Sequence, residues 1–218
     1  MSNLPKVKIC CISSVAEAKL AINAGADAIG LVGPMPSGPG IIDDGLIAEI
    51  VQQVPNSIDT FLLTSETSAD KIIAQLQKVN TSVIQLVDQI EPSEYKKIRD
   101  YLPQVQLVQV IHVTGSEAIL EAQKISSYVD TILLDSGNPG LAVKELGGTG
   151  RTHNWKISRQ IIDSLDIPVY LAGGLKPENI QEAIRAVKPF GVDLCSGVRT
   201  NNRLDSEKLL KFFSNLKQ

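Results

Sequence analysis

The chain has 218 residues, a formal net charge of -3 and 43% hydrophobic residues. This length suits one domain with a large buried core, and the ordinary composition excludes a disordered chain and a fibrous repeat. No block of basic residues suggests nucleic-acid binding, and no apolar stretch suggests a membrane span or a signal peptide. The sequence therefore predicts a globular protein of the cytoplasm.

Short apolar segments rich in β-branched residues alternate with longer amphipathic segments along the chain. The predicted strands are residues 7–11, 28–32, 60–64, 83–87, 107–112, 131–135, 169–172 and 192–195. Each strand is followed by a predicted helix, and these helices are residues 15–24, 44–53, 69–78, 92–101, 117–126, 155–164, 177–187 and 205–216.

Residues that favour helix ends support these boundaries. Ser14, Asp43 and Ser68 precede the first three helices, where a side-chain oxygen can accept a hydrogen bond from a free backbone N–H. Pro177 fits the first turn of the seventh helix, and Gly25 fits the position just after the first helix.

Eight strand–helix units can form a closed barrel or an open, doubly wound sheet. Regular repetition without a linker favours the barrel. We therefore predict an α/β fold, a (β/α)8 TIM barrel in which residues 1–218 form a single domain. In such barrels the chemistry takes place at the C-terminal ends of the strands.

The ends of the last two strands predict a phosphate site. Gly173 and Gly174 follow the seventh strand, and Ser196 and Gly197 follow the eighth. Glycines let backbone N–H groups approach an anion closely, and a short helix start after the eighth strand would add its dipole. A tight turn without a ligand is the alternative explanation. A third glycine run lies at residues 147–150, and a flexible lid explains it nearly as well as contact with the ligand does.

Cys10 ends the first predicted strand and Asp135 ends the sixth, so a closed barrel would bring them face to face. A thiolate and a carboxylic acid can divide proton transfer between them. Lys8 shares a strand face with Cys10, and we expect it to bind substrate there. An inert buried cysteine is the alternative. The cysteines and histidines show no metal-ligand spacing, so we expect neither a zinc site nor a disulfide framework. Cys11 is expected to pack in the core.

Several motifs resemble those of one enzyme family. The segment V-K-I-C-C-I-S at residues 7–13 resembles V-K-I-C-G-I-T, the opening of the phosphoribosylanthranilate isomerase family. Further matching motifs follow in order and spacing, at residues 25–30, 133–135, 147–155, 177–179, 189–193 and 196–198. The resemblance extends over nearly the whole chain.

The resemblance implies an Amadori rearrangement of a phosphoribosyl arylamine to a 1-deoxyribulose phosphate, in tryptophan biosynthesis, without cofactor or metal. Asp135 would be the general acid and Cys10 the general base. Asp193 would contact sugar hydroxyls, and the glycine loops would hold the phosphate. The only partner implied is the small phosphorylated sugar substrate, and association into a homo-oligomer is left open.

Three motifs depart from the family pattern. Pro39 stands where the family has an arginine that binds the anthranilate carboxylate, and residues 85–88 read Q-L-V-D instead of Q-L-H-G. Cys195 and Arg199 replace a serine and a glutamate. Loss of the arginine would reduce the binding free energy by about 2–5 kcal/mol, unless Arg199 or Arg151 supplies the positive charge. A divergent paralogue acting on another phosphosugar and a non-catalytic phosphometabolite binder are therefore alternatives.

Overall fold

A computed structural model describes residues 4–137 and 152–217. Eight parallel strands form a closed barrel in chain order, and the last strand pairs with the first. The strands are β1 (Lys6–Ile9), β2 (Ala28–Val32), β3 (Asp59–Thr64), β4 (Val83–Leu86), β5 (Gln106–His112), β6 (Thr131–Asp135), β7 (Val169–Leu171) and β8 (Gly191–Leu194). The predicted (β/α)8 barrel is confirmed.

A helix follows every strand of the barrel. The helices are α1 (Val15–Ala24), α2 (Asp44–Gln52), α3 (Ala69–Val79), α4 (Pro92–Tyr101), α5 (Glu117–Ile125), α6 (Trp155–Asp163), α7 (Ile180–Val187) and α8 (Ser206–Leu216). Between β8 and α8 lie a single 3-10 turn, Ser196–Val198, and a small hairpin of β9 (Arg199–Thr200) and β10 (Arg203–Leu204). None of the helices in the described ranges has the length and apolarity needed to cross a bilayer.

The predicted helix ends are mostly confirmed. Ser14 accepts a hydrogen bond from the Glu17 N–H at 3.2 Å, and Gly25 ends α1 in the left-handed conformation with φ +115°. The start of α7 was predicted wrongly, because the helix begins three residues after Pro177. The Asn179 side chain accepts a hydrogen bond from Lys176 N–H at 2.9 Å, which holds this segment as a turn.

Ser68 precedes α3 as predicted, but its side chain makes no capping hydrogen bond. The free N–H of Ala69 is instead bound by the Glu94 carboxylate of α4 at 2.7 Å. A carboxylate from the neighbouring helix thus satisfies this N–H group and also links the two helices.

The apolar side chains of the strands form two layers, one outside and one inside the barrel. Side chains such as Ile29, Leu62 and Ile84 point outward and pack beneath the helices, whereas Phe61 and Val108 point into the barrel. This alternation follows the two-residue period of a strand and explains why helix-covered strands are apolar on both faces. It also decides which residues at the strand ends enter the barrel mouth.

The pairing of β1 with β8 closes the barrel. Ile9 pairs with Leu194, and Cys10 N–H donates to the Leu194 carbonyl at 2.7 Å. The residues that follow these two strands therefore lie side by side at the C-terminal end of the barrel.

Candidate active site

A cavity opens at the C-terminal end of the barrel. Cys10, Asp135 and Asp193 line it, together with Gly173, Gly174 and Ser196 of the last two loops. The thiol and the carboxyl group predicted to share the chemistry therefore face one space, and the predicted phosphate loops border the same space.

Asp135 is the last residue of β6 and is 9% exposed. Burial raises the pKa of its carboxyl group to about 6, although a hydrogen bond from Ser136 N–H at 2.7 Å opposes the shift. The charge of Asp193 adds to the increase. Asp135 is therefore a carboxyl group that can exchange a proton near neutral pH.

Cys10 follows β1, and its thiol points into the barrel. A Cβ atom added to Gly30 would lie 2.8 Å from Cys10 Sγ, so Gly30 leaves the room that this sulfur needs. Burial raises the pKa of the Cys10 thiol to about 11, while the positive charge of Lys8 acts in the opposite direction. The resting thiol is therefore protonated at neutral pH.

Lys8 lies beneath the cavity and forms an ion pair with Asp193. Its side chain is fully buried, and its Nζ lies 2.9 Å from Asp193 Oδ2 and 5.0 Å from the ring centroid of Phe61. Burial alone would lower the pKa of Lys8, but Asp193 and Cys10 raise it, so the lysine stays charged. Lys8 is not one of the described residues that line the cavity. This placement differs from the expectation that Lys8 contacts substrate.

The two predicted phosphate loops meet at the rim of the cavity. Gly173 and Gly174 have φ values of +79° and +62°, which place them in the left-handed region that glycine enters freely. Ser196 is exposed beside them. Gly197 leaves no room for a side chain because a Cβ atom there would collide with the Leu175 carbonyl. Its role is thus to let the two loops pack together, and within the described residues it does not line the cavity.

Arg199 is directed away from the cavity and is 9% exposed. Its guanidinium lies 3.0 Å from Glu17 Oε1 and donates hydrogen bonds to the carbonyl oxygens of Cys10 and Cys11. The expectation that Arg199 replaces the missing carboxylate-binding arginine is therefore not supported. This cation instead holds the β1–α1 segment against the hairpin, and Arg151 lies outside the described residues.

Cys11 and Cys195 form a disulfide across the seam of the barrel, with a Cα–Cα distance of 5.9 Å. This bond was not predicted from the sequence, because no disulfide framework was expected. Cys11 is 4% exposed and belongs to the apolar cluster inside the barrel, so its predicted packing in the core is confirmed. Cys11 has φ +62°, which breaks the strand alternation, so its side chain lines the cavity like that of Cys10. Cysteines that follow the first and last strands of a closed barrel were the signal for this bond.

Two further residues of the cavity wall bear on its chemistry. Pro39, at the position of the family arginine, lines it, and no lysine, arginine or histidine of the described segments does so. Gln85 enters from β4 and is 3% exposed, and its Oε1 lacks a hydrogen-bond partner within those segments. As the third residue of β4, Gln85 points inward by the same alternation that directs Phe61 inward.

The chain is similar in sequence to known isomerases. The family model of N-(5'-phosphoribosyl)anthranilate (PRA) isomerase matches residues 7–215. The N-(5'-phosphoribosyl)anthranilate isomerase of Methanosarcina acetivorans is 34% identical, over 97% of this chain and 93% of its own. Isomerase 2 of Methanosarcina mazei is 36% identical, over 95% of this chain and 92% of its own.

Solved structures show the same similarity. The phosphoribosyl anthranilate isomerase of Thermotoga maritima superposes with a TM-score of 0.84 and is 27% identical, with 98% of both chains covered. A phosphoribosyl anthranilate isomerase in complex with reduced 1-(o-carboxyphenylamino)-1-deoxyribulose 5-phosphate superposes with a TM-score of 0.82. It is 25% identical, again with 98% of both chains covered. The chain therefore belongs to the N-(5'-phosphoribosyl)anthranilate isomerase family.

Proposed function

We propose that the protein is an N-(5'-phosphoribosyl)anthranilate isomerase of tryptophan biosynthesis, acting in the cytoplasm. The observation that carries this proposal is the placement of Cys10 and Asp135 in one cavity with the glycine loops of β7 and β8 at its rim. A related structure holds a reduced deoxyribulose phosphate, which supports a phosphorylated sugar as the substrate.

The proposed reaction is an Amadori rearrangement. Asp135 donates a proton to the ribose ring oxygen, the bond from that oxygen to C1 breaks, and the amine lone pair forms a C1–N double bond. The Cys10 thiolate then removes the proton from C2, and the resulting enol converts to the ketone. Each proton transfer to or from a positioned group contributes about 10²–10⁴-fold, so no cofactor is needed in this scheme.

Lys8 and Asp193 have supporting roles in this proposal. The lysine ammonium favours the thiolate of Cys10, because its positive charge lowers the pKa that burial raises. Asp193 lines the cavity and accepts hydrogen bonds from sugar hydroxyl groups, while its ion pair with Lys8 fixes its orientation. Lys8 is therefore a positioning residue and touches no substrate.

The two pKa values predict an acid limb in the pH profile. The reaction needs protonated Asp135 and ionised Cys10, whereas their pKa values are about 6 and about 11. Between these values the reactive form is a small fraction that does not change with pH. Below about pH 6 both groups hold their protons, so the thiolate becomes about tenfold rarer per pH unit. We expect kcat/KM to fall about fivefold from pH 6 to pH 5, to fall about tenfold per unit at lower pH, and to be level from pH 7 to pH 9.

The substrate phosphate also titrates near pH 6, so the control is the binding of ribose 5-phosphate over the same pH range. This ligand reports the phosphate titration without the chemical step. An activity that rises as the pH falls from 7 to 5 would contradict the assignment of Asp135 and Cys10.

A second prediction concerns the phosphate loops. Gly173→Ala places a Cβ atom 2.9 Å from Ser136 Oγ and 3.0 Å from Ser136 N, at a residue with φ +79°. The left-handed conformation alone costs a side chain about 1–2 kcal/mol, so we expect at least about tenfold weaker binding of inorganic phosphate, measured by calorimetry. Gly45→Ala in α2, away from the cavity, should leave this binding unchanged. Equal binding by both variants would rule out phosphate at Gly173.

One departure favours a second candidate function. Pro39 lines the cavity where the family has an arginine, so a phosphoribosyl amine without a carboxylate is the alternative substrate of the same chemistry. Comparing kcat/KM for N-(5'-phosphoribosyl)anthranilate and N-(5'-phosphoribosyl)aniline separates the two. A preference for the aniline compound would support the alternative.

The direct test is the loss of substrate fluorescence on adding the purified protein to N-(5'-phosphoribosyl)anthranilate. We expect complete conversion within minutes at micromolar enzyme. No conversion under these conditions, with the aniline compound also unchanged, would exclude the proposed isomerase.

A further inference from the structure

Three positions at which the chain departs from the family motifs line the same cavity. Cys11 occupies the place of a glycine, Cys195 that of a serine and Pro39 that of an arginine. Cys11 is bonded to Cys195, and a Cβ atom on Gly40 would lie 2.7 Å from Cys11 Cβ. The disulfide is thus in the cavity wall, and the loop that carries Pro39 packs against Cys11 through Gly40.

The disulfide joins the segments that carry the proposed base and the proposed phosphate site. Cys10 directly precedes Cys11, and Ser196 directly follows Cys195. The bonded residues are separated by 184 positions in the chain and close the seam between β1 and β8. Any change in the distance between the two sulfurs is therefore transmitted to both sites.

Loss of the bond must change this distance. Bonded sulfurs lie about 2.05 Å apart, whereas atoms in van der Waals contact lie about 3.5–4.0 Å apart. Cys11 is also held at φ +62°, a conformation that a non-glycine residue enters only at a cost. Reduction would therefore let the two loops move apart by about 1 Å or more, and a displacement of about 1 Å can cost 10²-fold in rate.

We propose that Cys11 and Cys195 are a reversible redox modification site, and that the oxidised pair holds the cavity in its active geometry. The proposal rests on the proposed isomerase function for its activity readout. Reduction separates the loops, weakens phosphate binding and slows the reaction. A disulfide that controls activity is also the kind that intracellular proteins carry.

The oxidant is a low-molecular-weight disulfide such as oxidised glutathione. Cys195 is only partly buried, so its thiolate attacks the oxidant, forms a mixed disulfide and releases one thiolate. The Cys11 thiolate then attacks Cys195 Sγ and releases the second. The two protein thiols lose two protons and two electrons, and the oxidant becomes two thiols. Cys10 stays reduced because it is 5% exposed and burial raises its pKa to about 11.

The test compares the full chain after treatment with dithiothreitol and after treatment with oxidised glutathione. Thiol titration of the unfolded samples should count three thiols after reduction and one after oxidation. Reduction should lower kcat/KM at least about tenfold and weaken the binding of inorganic phosphate by a measurable factor. Returning the reduced protein to oxidised glutathione should restore both quantities.

The control variant is Cys11→Gly combined with Cys195→Ser, which restores the family residues. Whatever its activity, its kcat/KM and phosphate affinity should be the same in both buffers. The proposal is overturned by three thiols in the wild type after oxidation, by a redox dependence that persists in the double variant, or by equal phosphate affinity of the two wild-type forms. If neither form isomerises the substrate, the proposed function fails, and the phosphate affinities still decide the redox proposal.

Discussion

Asp135→Asn should lower kcat about 10²–10⁴-fold and change KM little. The amide matches the carboxyl group in shape but cannot donate a proton to the ribose ring oxygen, and general acid catalysis is worth about this factor. Asp135 is buried at the end of β6 with a pKa of about 6, so the carboxyl group is poised to act as an acid. The rate of substrate fluorescence loss at saturating substrate measures the effect.

Asp166→Asn is the matched control for this change. Asp166 is exposed in the segment before β7, at the opposite end of the barrel, so its amide should leave kcat within about twofold of the wild type. A kcat for Asp135→Asn equal to that of the control would remove Asp135 from the chemistry.

Lys8→Met should lower the free energy of unfolding by about 3–5 kcal/mol, because it leaves the buried Asp193 carboxylate without its partner. The Lys8 side chain is fully buried, and Asp193 is 8% exposed. For a chain of this length the loss corresponds to a fall in Tm on the order of 10 °C. Chemical unfolding followed by circular dichroism gives the free energy of unfolding, and thermal unfolding gives Tm.

Lys6→Met provides the comparison on the same strand. Lys6 is 55% exposed and pairs with Asp27 at 2.8 Å, and exposed pairs contribute about 0–1 kcal/mol. The double variant Lys8→Met with Asp193→Leu removes both buried charges and should recover most of the lost stability. If Lys8→Met were no more destabilising than Lys6→Met, the buried ion pair would not stabilise the fold.

The fold could be predicted because local signals in this chain agree with the tertiary structure. The strands Ala28–Val32 and Thr131–Asp135 were predicted to the residue, as were the helices Val15–Ala24 and Pro92–Tyr101. Other boundaries moved by one or two residues, except at α7. There the Asn179 side chain holds a turn that the proline signal alone does not reveal.

The inward direction of Cys10 and Asp135 followed from strand ends in a closed barrel, which the sequence pattern does specify. The ion-pair partners of the charged residues could not be predicted from the sequence pattern. Lys8 and Arg199 were expected to meet substrate, but Asp193 and Glu17 bind them at 2.9 Å and 3.0 Å. These pairs join residues far apart in the chain, so only the assembled barrel reveals them.

Cys11 shows the limit of strand periodicity most clearly. A regular strand would direct it away from the cavity and toward the layer beneath the helices. Its left-handed backbone conformation reverses the direction of the side chain and brings it to Cys195. One residue with a left-handed backbone conformation can therefore change which side chains line a site.

The most direct test of the account is a crystal structure of this chain with reduced 1-(o-carboxyphenylamino)-1-deoxyribulose 5-phosphate. The account predicts the phosphate on the backbone N–H groups of the loops at Gly173, Gly174 and Ser196. It also predicts Cys10 Sγ close to the C2 atom and the Asp135 carboxyl group within about 3.2 Å of a ligand oxygen or nitrogen. A phosphate bound elsewhere, or a ligand out of reach of both groups, would contradict it.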